Sequence, residues 1–146
     1  MRTESNIKPT KFIIEHIKNE KVIVSFFDNI QEQEDMFYYD MYKMILNNRP
    51  NLAEDIENNY DTWLQFAKDL EYEKLAKEVR LKRDELLNET DWTQVTDTVL
   101  SLVKQEEYKV YRQQLRDITK QEGFPYKVSF PLEPSKYGNM NNNKGG

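Results

Sequence analysis

The residues best suited to chemistry form one polar stretch, Asp-Trp-Thr-Gln at residues 91–94, which a further acid, Asp97, follows closely. Two arginines four residues apart, Arg112 and Arg116, come later in the chain. A guanidinium binds a carboxylate through two parallel hydrogen bonds, and short polar side chains cap the backbone where a chain turns. This arrangement predicts hydrogen bonds and ion pairs between segments of the chain. It is not the arrangement of residues that a catalytic site needs.

Catalytic and metal-binding motifs do not emerge from the sequence. The chain has one histidine, His16, and nothing in the sequence marks a nucleophile to pair with it. It has no cysteine, which excludes a thiolate metal site. Three of the four glycines lie in the last nine residues, which leaves no glycine-rich loop for phosphates. Acids alternate with lysines, as they do on solvated helix faces. We therefore expect no enzymatic activity, no cofactor and no metal.

Composition narrows the class of partner. The 146 residues are 38% hydrophobic and 32% charged, with a net charge of −5. Nucleic-acid binding needs a basic face for phosphates, so this balance argues against it. No apolar run approaches the roughly 20 residues of a membrane span, and the first ten residues lack the apolar segment of a secretory signal. We expect a soluble protein that acts in a cytoplasm or is assembled there into a larger particle.

The first fifty residues predict strands. Two runs rich in β-branched and aromatic side chains, 11–17 and 21–27, flank a short turn, Lys-Asn-Glu-Lys. A third run, 36–46, alternates in the same way, although its tyrosines also fit the spacing of a helix. We predict an antiparallel meander of three strands, which forms an amino-terminal module of residues 1–50.

A long amphipathic helix is predicted from residue 52 to about residue 88, because this segment lacks proline and glycine and repeats apolar residues every three or four positions. So small a chain cannot cover a helix of roughly 55 Å along its whole length. The middle of the apolar stripe therefore predicts contact with another chain, either a second copy or a different protein. This helix stripe consists of Trp63, Phe66, Leu70, Leu75 and Val79.

A second helix is predicted at about 104–120, with Gly123 ending it. Residues 124–134 contain three prolines and should be extended, since a residue before proline avoids the helical conformation. Residues 135–146 are polar and of low complexity, and we expect a flexible tail there. The apolar stripe of the second helix consists of Tyr108, Tyr111, Leu115 and Ile118.

These elements predict an α+β protein. A small amino-terminal antiparallel β-meander is followed by a long amphipathic helix and then by a carboxy-terminal helical hairpin with an extended, proline-bounded tail. The predicted domains are residues 1–50, 51–134 and 135–146.

We interpret the polar stretch first as a staple that closes the helical hairpin. Asp91 and Thr93 would cap backbone donors at the turn, and Trp92 would be mostly buried on the tyrosines of the second helix. Arg112 would pair with Asp91 or Asp97. The same side chains are also suited to gripping a peptide of a partner, and the two interpretations are compatible.

An ordered set of motifs runs from residue 83 to residue 131, about a third of the chain. A helix ends in an Arg-x-x-Leu-Leu-like stretch, then come Asp-Trp-Thr-Gln, a second acid, a Tyr-Arg-x-x-Leu-Arg helix and a proline-bounded segment. This set resembles the phage tail assembly chaperone-like family. The positions that carry the resemblance are Arg83, Leu86, Leu87, Asp91, Trp92, Thr93, Gln94, Asp97, Tyr111, Arg112, Leu115, Arg116, Phe124, Pro125 and Pro131.

The segment departs from the family pattern at three positions. The family often has tryptophan where Tyr108 and Phe130 stand, and proline where Thr96 precedes the second acid. These exchanges are conservative in packing terms. Residues 1–50 lie outside the resemblance.

The resemblance implies a non-enzymatic bacteriophage protein of tail or tail-fibre assembly. Such a protein would bind a fibre or tail polypeptide in the host cytoplasm and mask its apolar surface until the polypeptide oligomerises. The motif residues, Tyr108 and the helix stripe would supply the contact surface, and neither nucleic acid nor a membrane would be a partner. The alternative is a permanent component of the virion tail, such as a fibre-attachment adaptor.

Overall fold

Alternating apolar side chains near the amino terminus build a four-stranded antiparallel sheet in the computed structural model, which describes residues 1–135. The strands lie in the order β1-β4-β3-β2. Their bounds are Arg2–Ser5 for β1, Phe12–His16 for β2, Lys21–Gln33 for β3 and Met36–Asn47 for β4.

The predicted α+β class is confirmed, and so are the three predicted strands, whereas the alternative of a helix at 36–46 is wrong. Strand β1 was not predicted. Its sequence, Arg-Thr-Glu-Ser, offers no apolar alternation, and it is a strand because it pairs with β4, with Thr3 opposite Tyr39. The sheet therefore has four strands where three were predicted.

Two local features shape the long hairpin of β3 and β4. Its two-residue turn, Glu34 and Asp35, has positive φ at both positions, which matches the twist of the flanking strands. A β-bulge follows Asp28, where two residues of β3 oppose one residue of β4. Asn29 in the bulge also has positive φ, and its side-chain amide donates to the Asp40 carboxylate at 2.8 Å.

The first compact unit, Met1–Glu73, has its core on one face of this sheet. Val22, Val24 and Phe26 are fully buried there against helical residues that include Ile56 and Leu64. These belong to helix α1, Leu52–Asn58, and to the start of helix α2, Tyr60–Thr90. The Tyr60 hydroxyl fastens α2 to the sheet by donating to the Phe27 carbonyl at 2.9 Å.

Two like charges face each other across the sheet next to this core. Asp28 lies opposite Asp40, a pairing that destabilises a sheet unless cations offset it. Lys68 of α2 donates to Asp28 at 2.6 Å, and Arg2 donates to Asp40 at 3.3 Å. Burial alone would raise the pKa of Asp40, but the hydrogen bonds from Asn29 and Arg2 outweigh that effect and lower the pKa.

The helix predicted without a break from 52 to 88 is interrupted at Asn59, between α1 and α2. Asn59 has non-helical φ and ψ, and its side-chain amide donates to the Asp55 carbonyl and carboxylate. Asparagine competes for backbone hydrogen bonds in this way, and it therefore weakens a helix interior.

The second compact unit begins at Lys74 and contains the rest of α2 and helix α3, Leu102–Arg116. Short 3₁₀ turns follow each helix, at Asp91–Gln94 and at Asp117–Lys120. The predicted helix at 104–120 thus begins two residues earlier, because the Ser101 hydroxyl caps it by accepting from the Lys104 amide at 3.2 Å. It also changes to 3₁₀ geometry after Arg116.

Gly123 does not end α3, contrary to the prediction. It lies in a turn in which the Lys127 amide donates to its carbonyl at 2.8 Å. A Cβ at position 123 would lie 2.4 Å from the Lys127 carbonyl oxygen, so this close approach explains the glycine.

Residues 124–126 lie in the same turn and are not extended as predicted, whereas residues 128–135 have no regular secondary structure. The tail predicted to be flexible lies, from residue 136 onward, outside the described residues. Within residues 1–135, no helix has both the length and the apolar content that crossing a membrane requires.

Candidate functional site

The carboxyl end of α2 is closed by Arg112 of α3, whose side chain is buried. Its Nη1 donates to the Leu87 carbonyl at 2.6 Å and to the Thr90 hydroxyl at 2.8 Å. Its Nη2 donates to the Asp91 carboxylate at 2.7 Å. The predicted ion pair of Arg112 is thereby confirmed, with Asp91 as the partner. We call these four residues the Arg112 network.

A helix end explains why these donors are needed. The last four carbonyls of a helix have no donor within that helix, and a buried carbonyl without a donor is costly. Arg112 donates a hydrogen bond to the Leu87 carbonyl. Thr93, which is fully buried, donates from its hydroxyl to the Thr90 carbonyl at 2.6 Å. Two of the four carbonyls at the end of α2 therefore receive side-chain donors.

The prediction that Asp91 and Thr93 cap backbone donors is wrong for both residues. The stretch follows the carboxyl end of a helix, where the backbone presents acceptors, so Thr93 donates and Asp91 binds Arg112. Thr90 also belongs to this site, although it was not predicted to. Its buried hydroxyl donates to the Leu86 carbonyl at 2.8 Å and accepts from Arg112. The signal was the pair of threonines three residues apart, which share one face of a turn.

Trp92 lies against the tyrosines of α3 and is mostly buried, as predicted. Its ring centroid is 6.1 Å from that of Tyr108. Tyr108 in turn meets Tyr111 edge to face at 6.3 Å. Both tyrosines and Leu115 are buried, and we call these three residues the tyrosine core. Leu86, Leu87, Leu100 and Phe130 pack against it.

The remaining polar residues of the stretch lie outside this core. Gln94 is exposed and donates to the Gln105 carbonyl at 3.2 Å. Asp97 and Arg116 are exposed as well. Within residues 1–135 these two form no ion pair with each other.

The segment after α3 binds the hairpin through both its backbone and its aromatic rings. The Gln121 side chain donates to the Ser129 carbonyl and accepts from the Ser129 amide, each at 2.8 Å. The Tyr108 hydroxyl donates to the Pro134 carbonyl at 3.0 Å. The Phe130 ring packs on the tyrosine core and lies 4.2 Å from the Lys82 ammonium.

The prolines and Phe124 have different environments in this segment. Pro125 is buried, whereas Phe124 and Pro131 are half-buried. The Phe124 ring lies 5.5 Å from the Arg80 guanidinium.

An open depression of about 360 Å³ lies beside this segment, and Pro131, Phe130, Gln114, Asp117, Gln121 and Ser129 line it. Within this depression, hydrogen bonds from Lys120 and Gln113 lower the pKa of the Asp117 carboxyl.

Burial changes the acidity of the tyrosines in this core. It raises the pKa of Tyr108 to about 12, and the nearby negative charge of Glu133 adds to the effect. Burial and Glu133 also raise the pKa of Tyr111. Both phenols are therefore protonated donors at neutral pH.

Within the described residues, no group of three or more acids or histidines is arranged to hold a metal ion.

The predicted helix stripe divides into exposed and covered members. Phe66 and Leu70 are 51% and 54% exposed. Trp63 and Leu75 are half-buried, and Val79 is buried. The fully covered residues of α2 in the sheet core are Leu64 and Ala67, and Trp63 packs against that core.

A second apolar face, on α3, was not recognised in the sequence. Leu102, Val103 and Val110 of α3 are exposed, Leu102 to 82%, and so is Val99, which lies just before the helix and is 94% exposed. We call these four residues the α3 apolar face. Their apolar character is visible in the sequence, but the predicted apolar stripe of this helix contained only residues on its other side, Tyr108, Tyr111, Leu115 and Ile118.

The part of the chain that contains these features is similar to a known protein family. Residues 76–135 match a family described as phage tail assembly chaperone protein. The resemblance inferred from the motifs is confirmed for this segment, and the match supports a role in phage tail assembly. The segment includes the Arg112 network, the tyrosine core and the α3 apolar face. No curated protein and no solved structure matches the chain.

We expect Arg112→Met to lower the free energy of unfolding of the second unit by about 2–4 kcal/mol, because hydrogen bonds to a charged donor contribute roughly 1.5–3 kcal/mol each and are not additive. Chemical denaturation in a Trp63→Phe background makes Trp92 the only fluorescent tryptophan and reports on this unit. The control, Arg116→Met, should change stability by less than about 0.5 kcal/mol. Equal unfolding midpoints for the two variants would show that the network is dispensable.

We expect Tyr108 to make the chain less stable in alkali. Its pKa is about 12 in the folded protein and about 10 in an unfolded chain. Its contribution is therefore fully present below the unfolded value and is lost as the pH rises through the folded one. Tyr108→Phe should flatten this alkaline decline in denaturation series at several pH values. Tyr126→Phe, which removes an exposed phenol, should leave the decline in place. A wild-type slope in the Tyr108→Phe variant would refute the assignment.

Proposed function

We propose that this protein acts in phage tail assembly by binding a polypeptide of the tail or tail fibre, without catalysing a reaction. The observation that carries the proposal is the α3 apolar face, which lies within the matched segment. Val99, Leu102 and Val103 lie within five residues of each other, and exposed apolar side chains grouped in this way on a small protein mark an interaction surface. A phage tail protein is the partner that the matched family's description supports.

The motif residues support this proposal indirectly, because they are used inside the protein. Tyr108, Tyr111, Leu115 and Arg112 are buried and have intramolecular partners. They therefore hold α3 against α2 and present its other side to the surroundings. On this proposal the family motif maintains the binding surface and does not itself contact the partner.

The energetics of the α3 apolar face suit reversible binding. Fully burying a valine or leucine contributes about 1.5–3 kcal/mol, and association itself costs at least about 4 kcal/mol. The net stabilisation that four such residues provide is therefore modest. Binding of this strength can be reversed when the partner's own assembly buries the same surface. The net charge of −5 supports a protein partner and not nucleic acid. The protein would act in the host cytoplasm, shielding apolar surface of the tail polypeptide until that surface is used in assembly.

We expect one tail or tail-fibre protein of the same phage to co-purify with the tagged chain when the two are co-expressed. Val103→Glu combined with Val110→Glu should reduce the recovered partner by about tenfold or more, because it places two charges in the buried contact. Ile45→Glu is a matched control, since it adds a charge at an exposed apolar residue of β4. The proposal fails if no tail or fibre protein binds, or if the double variant binds as well as wild type.

Mass spectrometry of purified virions decides between transient and permanent association. A chaperone that leaves is absent from the particle, whereas an adaptor is present in a fixed ratio to the fibre.

A further inference from the structure

We propose that a second copy of this chain packs face to face on the side of the sheet opposite the core of the first unit. This inference does not rest on the proposed tail partner, and every residue that carries it belongs to the first unit. We call the surface the outer sheet patch. It consists of Ile13, Glu15, Ile23, Lys43 and Ile45.

The pairing of the strands places this patch on one side of the sheet. Two neighbouring rows cross β2, β3 and β4 in register. One row is Glu15, Ile23 and Ile45, and the other is Ile13, Ser25 and Lys43. The residues that alternate with these along β3 include Val22 and Val24, which are fully buried in the core. Because successive residues of a strand point to opposite faces, both rows lie on the side away from that core.

The isoleucines of the patch are open to the surroundings. Ile45 is 64% exposed and Ile13 is 40% exposed, and Ile23 lies half-buried on the strand between them. Further along the same side, Phe27 and Tyr39 are each only 8% exposed, and their rings meet edge to face at 5.3 Å. The chain therefore covers the aromatic residues on this side of the sheet and leaves the isoleucines uncovered.

One acid and one base border these isoleucines. Glu15 lies on β2 and Lys43 on β4, at diagonally opposite corners of the patch. The spacing between strands and along a strand puts them roughly 12 Å apart in one chain, which is too far for an ion pair. Both side chains are exposed, and neither forms an ion pair among residues 1–135. Each charge is therefore available to another molecule.

Two-fold symmetry satisfies both charges at once, which is why the partner that fits is a second copy. A copy that faces the first places each Glu15 against Lys43 of the other copy. The strands of the two sheets then cross at roughly 70°, close to the orthogonal class of sheet packing. In this arrangement Ile13 and Ile45 each lie beside their own counterparts, and Ile23 lies beside Ile45 of the other copy. The patch is thus complementary to itself in both charge and apolar contact.

The first test is sedimentation of the full-length protein over a range of concentrations. The patch is small and exposed ion pairs contribute little, so we expect a weak dimer, with a weight-average mass that rises toward twice that of the monomer. Ile45→Glu should raise the dissociation constant by about tenfold or more, because it places two charges in the interface. The matched control is Ile30→Glu, which alters a 38% exposed isoleucine of β3. It lies about 20 Å along the strand from Ile23 and should leave the dissociation constant unchanged. Circular dichroism verifies the fold of each variant.

A charge exchange makes the test specific to the facing arrangement. Glu15→Lys and Lys43→Glu should each weaken the dimer by about fivefold or more, because each creates repulsion at both symmetric positions. An equimolar mixture of these two variants should associate at least as tightly as wild type, since every charge then faces an opposite charge on the other chain. The double variant, which keeps the net charge of wild type, should return to within about threefold of its affinity.

Three results would overturn the proposal. One is a monomer at every concentration up to about 1 mM. Another is a dimer that these substitutions leave unaffected, or a mixture of the two charge variants that associates no better than either variant alone. The third is loss of tail-protein binding by Ile45→Glu without any change in the mass of the free protein, which would assign the patch to the tail protein.

Discussion

The second unit depends on how the carboxyl end of α2 is closed. The helix ends at Thr90, inside the unit, where its bare carbonyls cannot all reach water. Arg112 brings several donors to that point on one rigid group, which lysine would not do. It binds a carbonyl, a hydroxyl and a carboxylate at once. Because Arg112 belongs to α3, the same contacts that complete α2 also set where α3 lies against it.

The burial of several motif residues determines which residues are left on the surface to bind a partner. With the tyrosines, Arg112 and Thr93 committed to the interior, the segment that matches the tail assembly chaperone family presents a different surface, formed by valines and a leucine of α3. The family pattern in this chain therefore marks the residues that keep the hairpin closed. On our proposal the partner is chosen by exposed residues that the motif does not include, which would let related proteins share a fold while binding different tail polypeptides.

Particular residues show how far the sequence could predict this structure. β3 and β4 followed from alternating apolar residues, and the ion pair of Arg112 with Asp91 followed from charge and a predicted turn. β1 could not be predicted, because its strand conformation comes from pairing with β4 and not from its own sequence. The break at Asn59 depends on the hydrogen bonds of one side-chain amide within an otherwise helical pattern. The roles of Thr90 and Thr93 were not predicted. The prediction paired polar side chains with backbone amides, whereas the carboxyl end of a helix exposes carbonyl oxygens, to which the threonine hydroxyls donate.

A double-mutant cycle between Arg112 and Thr90 tests the central claim most directly. Arg112→Met, Thr90→Val and the combined variant are compared with wild type by chemical denaturation in the Trp63→Phe background. If Arg112 closes α2 through Thr90 and its neighbouring carbonyl, the two substitutions should be coupled by about 1 kcal/mol or more. Effects that add to within about 0.3 kcal/mol would contradict the account, because they would mean that the two side chains stabilise the hairpin independently.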